Sequence, residues 1–382
     1  MTTYDWIVIG AGITGASLAY ELSQQNFKVL LLEKDPQPDN ATLYSYGGLA
    51  YWSGTDELTR TLGQEGIELH RYLSAELDAD TEFRELDLVL TIDRQEDPEA
   101  IARNYDRFAI TPELLNVRDA CELEPLLNPN AISGVLKLPH GHIQAQKTTN
   151  AYIQALIRNG GEIIYERVIK LLSQGDRLTG VTTEANNYST ANTVVCAGGL
   201  SRSLLQKSGV TIDNQFTYAQ LITTPPVDLE LATVVMPAIQ QRFALEAQPA
   251  AIDPEIPAEQ KILDPGAVQF MDGSMCMGQI SSIGDCSELD LTTAEAEIRD
   301  RVGNVLPLLE DIPGTCHNCL VAFNRHGIAL VGKIANLKGL YIFSGFTSTL
   351  VYAPVLARRF AKAQQGTLDP ILEQLQITLN RT

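Results

Sequence analysis

A chain of 382 residues with 45% hydrophobic content can bury a large core, exceeds one ordinary domain and suits two interleaved ones. Its net charge of −19 argues against nucleic acid or an anionic membrane surface as a partner, so an anionic substrate must be drawn in by local positive groups. Six cysteines without disulfide-framework spacing fit a reducing cytoplasm, and no apolar run reaches the roughly 18 residues of a membrane span.

Residues 5–34 read DWIVIGAGITGASLAYELSQQNFKVLLLEK. An apolar strand leads into Gly10-Ala11-Gly12-Ile13-Thr14-Gly15, a helical pattern runs to about Gln25, and a second apolar strand stops at Glu33. Strand, glycine turn, helix, strand and acid make the dinucleotide-binding unit in its required context. Gly10 allows the tight turn, Gly12 lets a pyrophosphate approach the backbone, and Gly15 lets helix and strand pack closely. The helix start offers unpaired N–H groups to phosphate, and Glu33 is expected to accept from a ribose hydroxyl. With the unit starting at residue 5, no leader segment is expected.

Further along, 97–128 holds helical patterns punctuated by Pro98, Pro112 and Pro125, and 161–192 looks like a meander of short strands. NTVVCAGG (192–199) is an apolar strand ending in small residues. From 215 onward, apolar runs and alternation suit antiparallel strands. The proline-rich stretch 249–266 reads as a surface excursion or a mobile lid. Near the C-terminus, GLYIF (339–343) is a strand followed by a Ser344-Gly345-Phe346-Thr347 turn and a helix from about Ala353. Cys316-His317-Asn318-Cys319 lacks a second ligand pair and reads as buried strand cysteines, so no metal site is expected.

The chain resembles the FAD-dependent D-amino acid oxidase superfamily, nearest in layout to glycine oxidase and similar amine-oxidising flavoenzymes. The matching pieces are VIGAGITGASLAYEL, LLLEK, SYGGLA (45–50), GHIQAQK (141–147), VVCAGG, DGSMCMGQ (272–279), FNRHGIALVG (323–332) and GLYIFSG. The resemblance implies an α/β fold: an FAD-binding Rossmann-like domain of the glutathione-reductase type with an interleaved α+β substrate domain built on an antiparallel sheet. The expected division is 1–84, 139–218 and 320–382 for FAD, and 85–138 and 219–319 for the cap. It also implies non-covalent FAD held by Gly10, Gly12, Ile13, Thr14, Gly15, Glu33, Lys34, Thr42, Ser45, Gly47, Gly48, Val168, Ala197 and Gly198. The C-terminal turn and helix start complete that set with Gly345, Phe346, Thr347, Ser348, Thr349 and Leu350.

The implied reaction is oxidation of the C–N bond of a small anionic amino acid or a secondary amine, with oxygen or an electron carrier as acceptor, in a cytoplasmic protein that could self-associate. Hydroxy-acid or alcohol oxidation and a drifted, inactive site stay open as alternatives. Arg325 sits where the resemblance places a substrate-clamping arginine, whose planar guanidinium meets a carboxylate through two parallel bonds. His326 beside it could touch substrate or serve structure, Tyr46 could wall the pocket, and His142 reads as architectural. The chain departs from the family pattern in a shortened segment after Arg325, a missing tyrosine before DGSM, and a bulky, hydroxyl-rich final turn.

Overall fold

The strand Thr3–Ile9 runs between two parallel neighbours, Val29–Glu33 and Asn187–Val195, with Ile7 level with Leu30 and Thr193. A strand buried on both faces must be apolar nearly throughout, which explains why its period-2 signal is weak in the sequence. Trp6 and Val8 point to one core and Tyr4, Ile7 and Ile9 to the other. The computed structural model describes residues 3–212, 214–239, 260–283, 290–335 and 337–379. Cys286 and residues 249–259 of the proline-rich stretch lie outside these, while 260–266 belong to the strand Gln260–Gln269.

Two sheets organise the described residues. The first extends from the antiparallel edge strand Leu330–Lys333 through Leu340–Ser344, Asn187–Val195, Thr3–Ile9 and Val29–Glu33 to Glu162–Tyr165. The expected meander appears as Val168–Gln174 and Arg177–Thr183, which continue from Asn187–Val195. The helix Ile13–Gln24 covers the opposite face, packed between Ala145–Arg158 and Thr349–Ala363. Arg358 on the last of these helices pairs with Glu21 at 2.8 Å and with Glu76 at 2.5 Å.

The second sheet orders its strands Thr315–Phe323, Gln215–Thr223, Met275–Ile283, Gln260–Gln269, Val234–Pro237, Arg84–Asp93, Ile132–His142 and Gly48–Leu49. The pairings are antiparallel except for Val234–Pro237 beside Arg84–Asp93, which is parallel. The helix Leu291–Val305 closes one face over Ile222, Met277 and Ile280. On the other face Leu88, Leu138 and Leu221 belong to a separate core. Strands Ile132–His142, Gln215–Thr223 and Thr315–Phe323 each contain a boundary expected from sequence, and each lies whole in this sheet.

The helix Thr349–Ala363, which precedes the terminal helix Pro370–Leu379, begins four residues before the sequence pattern suggested and carries Pro354 inside it. Proline lacks the N–H that would bond the carbonyl four residues back, which is that of Leu350. His70 Nε2 lies 2.8 Å from that oxygen and satisfies it from another helix. A tertiary contact thus overrides the local stop signal.

Candidate functional site

Three glycines shape the turn after the first strand. Gly10 has φ +102°, and a Cβ built on it would meet the Cys196 carbonyl at 2.7 Å. A Cβ on Gly15 would fall 1.8 Å from the Gly10 carbonyl, so helix and strand approach only because it is absent. Gly12 is the N-cap and has no side chain to cap with; instead Ile13 N–H donates to Thr42 Oγ1 at 3.1 Å. A buried threonine from the following segment therefore meets the open helix start.

Glu33 is buried at the end of its strand. Its Oε2 accepts from Ala11 N–H at 2.7 Å, and Oε1 accepts from the N–H groups of Lys34 at 2.8 Å and Asp35 at 3.3 Å. A carboxylate has about four acceptor sites, so these three bonds leave capacity for one hydroxyl. Lys34 itself is exposed. Ala197 closes over Gly10, whose built Cβ would lie 3.0 Å from the Ala197 Cα, and Gly198 (φ +53°) follows it. Thr14 lies in the first turn of the helix, and Val168 packs on the core that holds Ile9 and Leu32.

A cavity of about 1280 Å³ lies between the two sheets. Ile13, Thr42, Ser45, Tyr46 and Gly48 line it from the nucleotide-turn side. Phe346, Thr347, Ser348, Thr349 and Leu350 line it at the start of helix Thr349–Ala363, whose N-cap Ser348 makes no side-chain cap bond. Open N–H groups and the positive dipole end thus face the space. Gly345 (φ +69°) makes the turn into it, and Gly47 (φ +74°) tolerates no Cβ because the Ile143 carbonyl would be 2.0 Å away.

All eight strands in the linear path of the second sheet reach this roof, through Gly48, His140, Leu88, Met236, Asp264 and Gln279 among others, with Leu221 and Val321 completing the row. His140 was not among the sequence-predicted residues. Its signal was the alternation Leu136, Leu138, His140 and His142 on one side of a strand, but nothing local told which one met open space. Trp52 Nε1–H donates to His140 Nδ1 at 3.2 Å. Indole nitrogen is donor only, so Nδ1 accepts and the ring proton sits on Nε2. That edge faces Gly48, where a Cβ would come within 2.7 Å of Nε2. Burial holds the ring pKa down at about 4, so it is neutral at physiological pH.

His142 is also fully buried and pushed down to about 3 by burial and by the charge of Arg84. It packs on Phe270 and beside Gly47, away from the cavity wall. Arg325 is half-buried with its guanidinium carbon 5.9 Å above the Phe323 ring. Phe323 lines the cavity, whereas Arg325 and the exposed His326 stand on the turn behind it. Asn324 clamps that turn, accepting from His326 N–H at 3.1 Å and donating to the Ala329 carbonyl at 3.1 Å. Two other arginines are exposed at the cavity's edge: Arg103, the last residue of helix Pro98–Arg103, and Arg107 on the turn after it. Among the described residues no cluster could hold a metal ion, and Cys316 and Cys319 are free and buried.

Residues 5–363 match the family described as FAD dependent oxidoreductase. The chain belongs to that family. It is similar to 4-methylaminobutanoate oxidase (formaldehyde-forming) of Paenarthrobacter nicotinovorans, at 23% identity over 93% of this chain and 43% of that protein. It is also similar to monomeric sarcosine oxidase of Streptomyces avermitilis, at 27% identity over 56% of this chain and 58% of that one. The chain therefore spans about half the length of these curated relatives. Glycine oxidase from Geobacillus kaustophilus shares the fold with a TM-score of 0.81 at 18% identity, covering 97% of this chain and 96% of that one.

The chain is an FAD-dependent oxidoreductase, and its residues fit the cofactor. A glycine-built turn, a carboxylate with a spare acceptor site, and two helix starts that line one cavity suit a long dinucleotide with anionic groups. Among the described residues no helix is long and apolar enough to cross a membrane.

Proposed function

We propose that the chain oxidises the C–N bond of an amine or amino acid, with oxygen or an electron carrier as the final acceptor. Bound FAD supplies the two-electron acceptor for the hydride that leaves the substrate carbon. The observation that carries this reading is the roof of the cavity. His140, the histidine on it, is held neutral and weakly basic by burial, beside a wall of Leu88, Leu221 and Met236. An alcohol needs a base to take its hydroxyl proton as hydride departs; an amine that has shed its ammonium proton to water does not. A site of fixed position and weak basicity therefore suits amines. The relatives named for 4-methylaminobutanoate and sarcosine support the same reading.

In this reading Glu33 takes a ribose hydroxyl, Ile13 and Thr42 border the phosphates, and the helix start at Ser348, Thr349 and Leu350 stabilises negative charge at the reduced ring. Gly47 and Gly48 give the strip beside the ring its close approach. Arg325, and Tyr46 across the cavity, position substrate. The test is anaerobic titration of the FAD-loaded protein with paired amines and hydroxy acids of the same carbon skeleton. Loss of the visible flavin band with amines is expected. Bleaching by the hydroxy acids alone overturns the proposal.

A further inference from the structure

Beyond the flavin-lining strip the cavity continues into an arm between helix Pro98–Arg103, with its following turn, and strand Val234–Pro237. Trp52, Tyr105 and Phe108 form a ring cluster there, with centroids 5.6 Å apart for Trp52 and Phe108 and 5.2 Å for Tyr105 and Phe108. Both polar handles in this cluster are already spent. Trp52 Nε1–H is given to His140, and Tyr105 O–H donates to the Ala238 carbonyl at 2.6 Å. The Trp52 and Tyr105 rings are thereby fixed in place with apolar surface left to present, Phe108 carries the Arg107 guanidinium 5.1 Å over its ring, and Leu88, Val234 and Met236 continue the apolar wall.

We propose that this arm receives the apolar side chain of the substrate, so that the preferred substrates are amino acids or N-substituted amines carrying an aromatic or branched aliphatic group. This inference rests on the amine-oxidising reading above. A substrate the size of glycine leaves the arm holding water against three aromatic rings and gains nothing from them. A phenyl or isobutyl group displaces that water and meets surface whose hydrogen-bonding atoms need no partner from the ligand. The fixed rings also cost little ordering on binding, since the protein has already immobilised them.

The experiment measures anaerobic flavin reduction by glycine, alanine, leucine and phenylalanine, with both enantiomers and their N-methyl forms. kcat/KM is expected to rise with side-chain size, by about 100-fold from alanine to phenylalanine. Ala238→Leu, which fills the arm, should erase that gain while leaving alanine within about three-fold of wild type. Val234→Leu serves the same purpose should the first variant not fold. Phenylacetate binding, read by quenching of tryptophan fluorescence, should saturate in wild type and weaken at least about ten-fold in the filled variant. Equal rates for glycine and phenylalanine overturn the inference and leave amine oxidation standing. No reduction by any amine removes the functional reading, and unsaturable phenylacetate binding then removes the arm as well.

Discussion

His70 Nε2 sits 2.8 Å from the carbonyl oxygen of Leu350, the acceptor that Pro354 leaves without its helical donor. The two residues are 280 positions apart, and the bond fixes the helix start that lines the cavity. Burial pushes the ring pKa down to about 4, so the ring is neutral, and because Nε2 must donate to the carbonyl, Nδ1 carries no proton.

Replacing His70 with leucine strands a buried carbonyl beside the cavity. The expected cost is about 1–3 kcal/mol of stability, read as a lower midpoint of urea unfolding. His70→Gln restores a donor and should recover part of it. FAD affinity should weaken with His70→Leu, because the helix start shifts when its first turn loses an anchor. An unchanged midpoint for His70→Leu would show that the carbonyl finds water instead.

Three buried histidines make the fold sensitive to acid. Burial depresses His70 and His140 to about 4 and His142 to about 3, all below the usual 6.5 of the unfolded chain. Between those values the unfolded state binds more protons, so stability is present above about pH 6.5 and is lost as pH falls towards 4. By pH 5 each group removes about 2 kcal/mol. Glu21 works in the opposite sense, since burial against the pull of Arg358 raises it to about 7 and acidification favours its folded form. The net effect is a loss of about 4 kcal/mol between pH 7 and 5, measurable by denaturant titration at each pH. A stability that is flat over this range overturns the assignment of neutral rings.

Glu33 serves two ends. Its carboxylate ties the glycine turn through Ala11 N–H and, in the proposed reading, offers its spare acceptor site to the ribose. Glu33→Gln keeps one oxygen acceptor for the turn but loses the charge, and Glu33→Ala loses both. FAD affinity is expected to fall about ten-fold in the first and about a hundred-fold in the second, read by flavin retention on dilution. Equal losses would mean that the turn, not the ribose contact, governs binding.

The nucleotide turn, the acid at its second strand and the final strand–turn–helix were legible in the sequence because each is a local backbone requirement that few residues meet. Gly10, Gly15, Gly47 and Gly345 stand where a Cβ or a negative φ fails. The part of the cavity walled by the second sheet was less legible. Trp52, Tyr105, His140 and Met236 come from four separate segments and meet only where sheet and helix enclose the arm. The early start of helix Thr349–Ala363 was hidden for the same reason: the donor that permits Pro354 comes from His70. The resemblance points to Arg325 by its position in a motif, and position alone does not say which way a guanidinium is turned.

Arg325 provides the sharpest functional test because its placement is informative. The guanidinium stacks above Phe323, whose ring lines the cavity, so the arginine stands one side chain away from that space. If it clamps a substrate carboxylate, it reaches past Phe323 on binding, and Arg325→Lys keeps the charge but loses the two-pronged geometry. kcat/KM should then fall by about 30- to 1000-fold, mostly in KM, with FAD content and visible spectrum unchanged. Arg103→Gln, at the exposed edge, should change kcat/KM only at low ionic strength, as expected for a group that steers an anion towards an acidic protein without holding it. The reverse pattern, a silent Arg325→Lys with a salt-independent loss in Arg103→Gln, places the carboxylate at the mouth of the arm. The arginine behind Phe323 is then structural, holding a ring in the cavity wall.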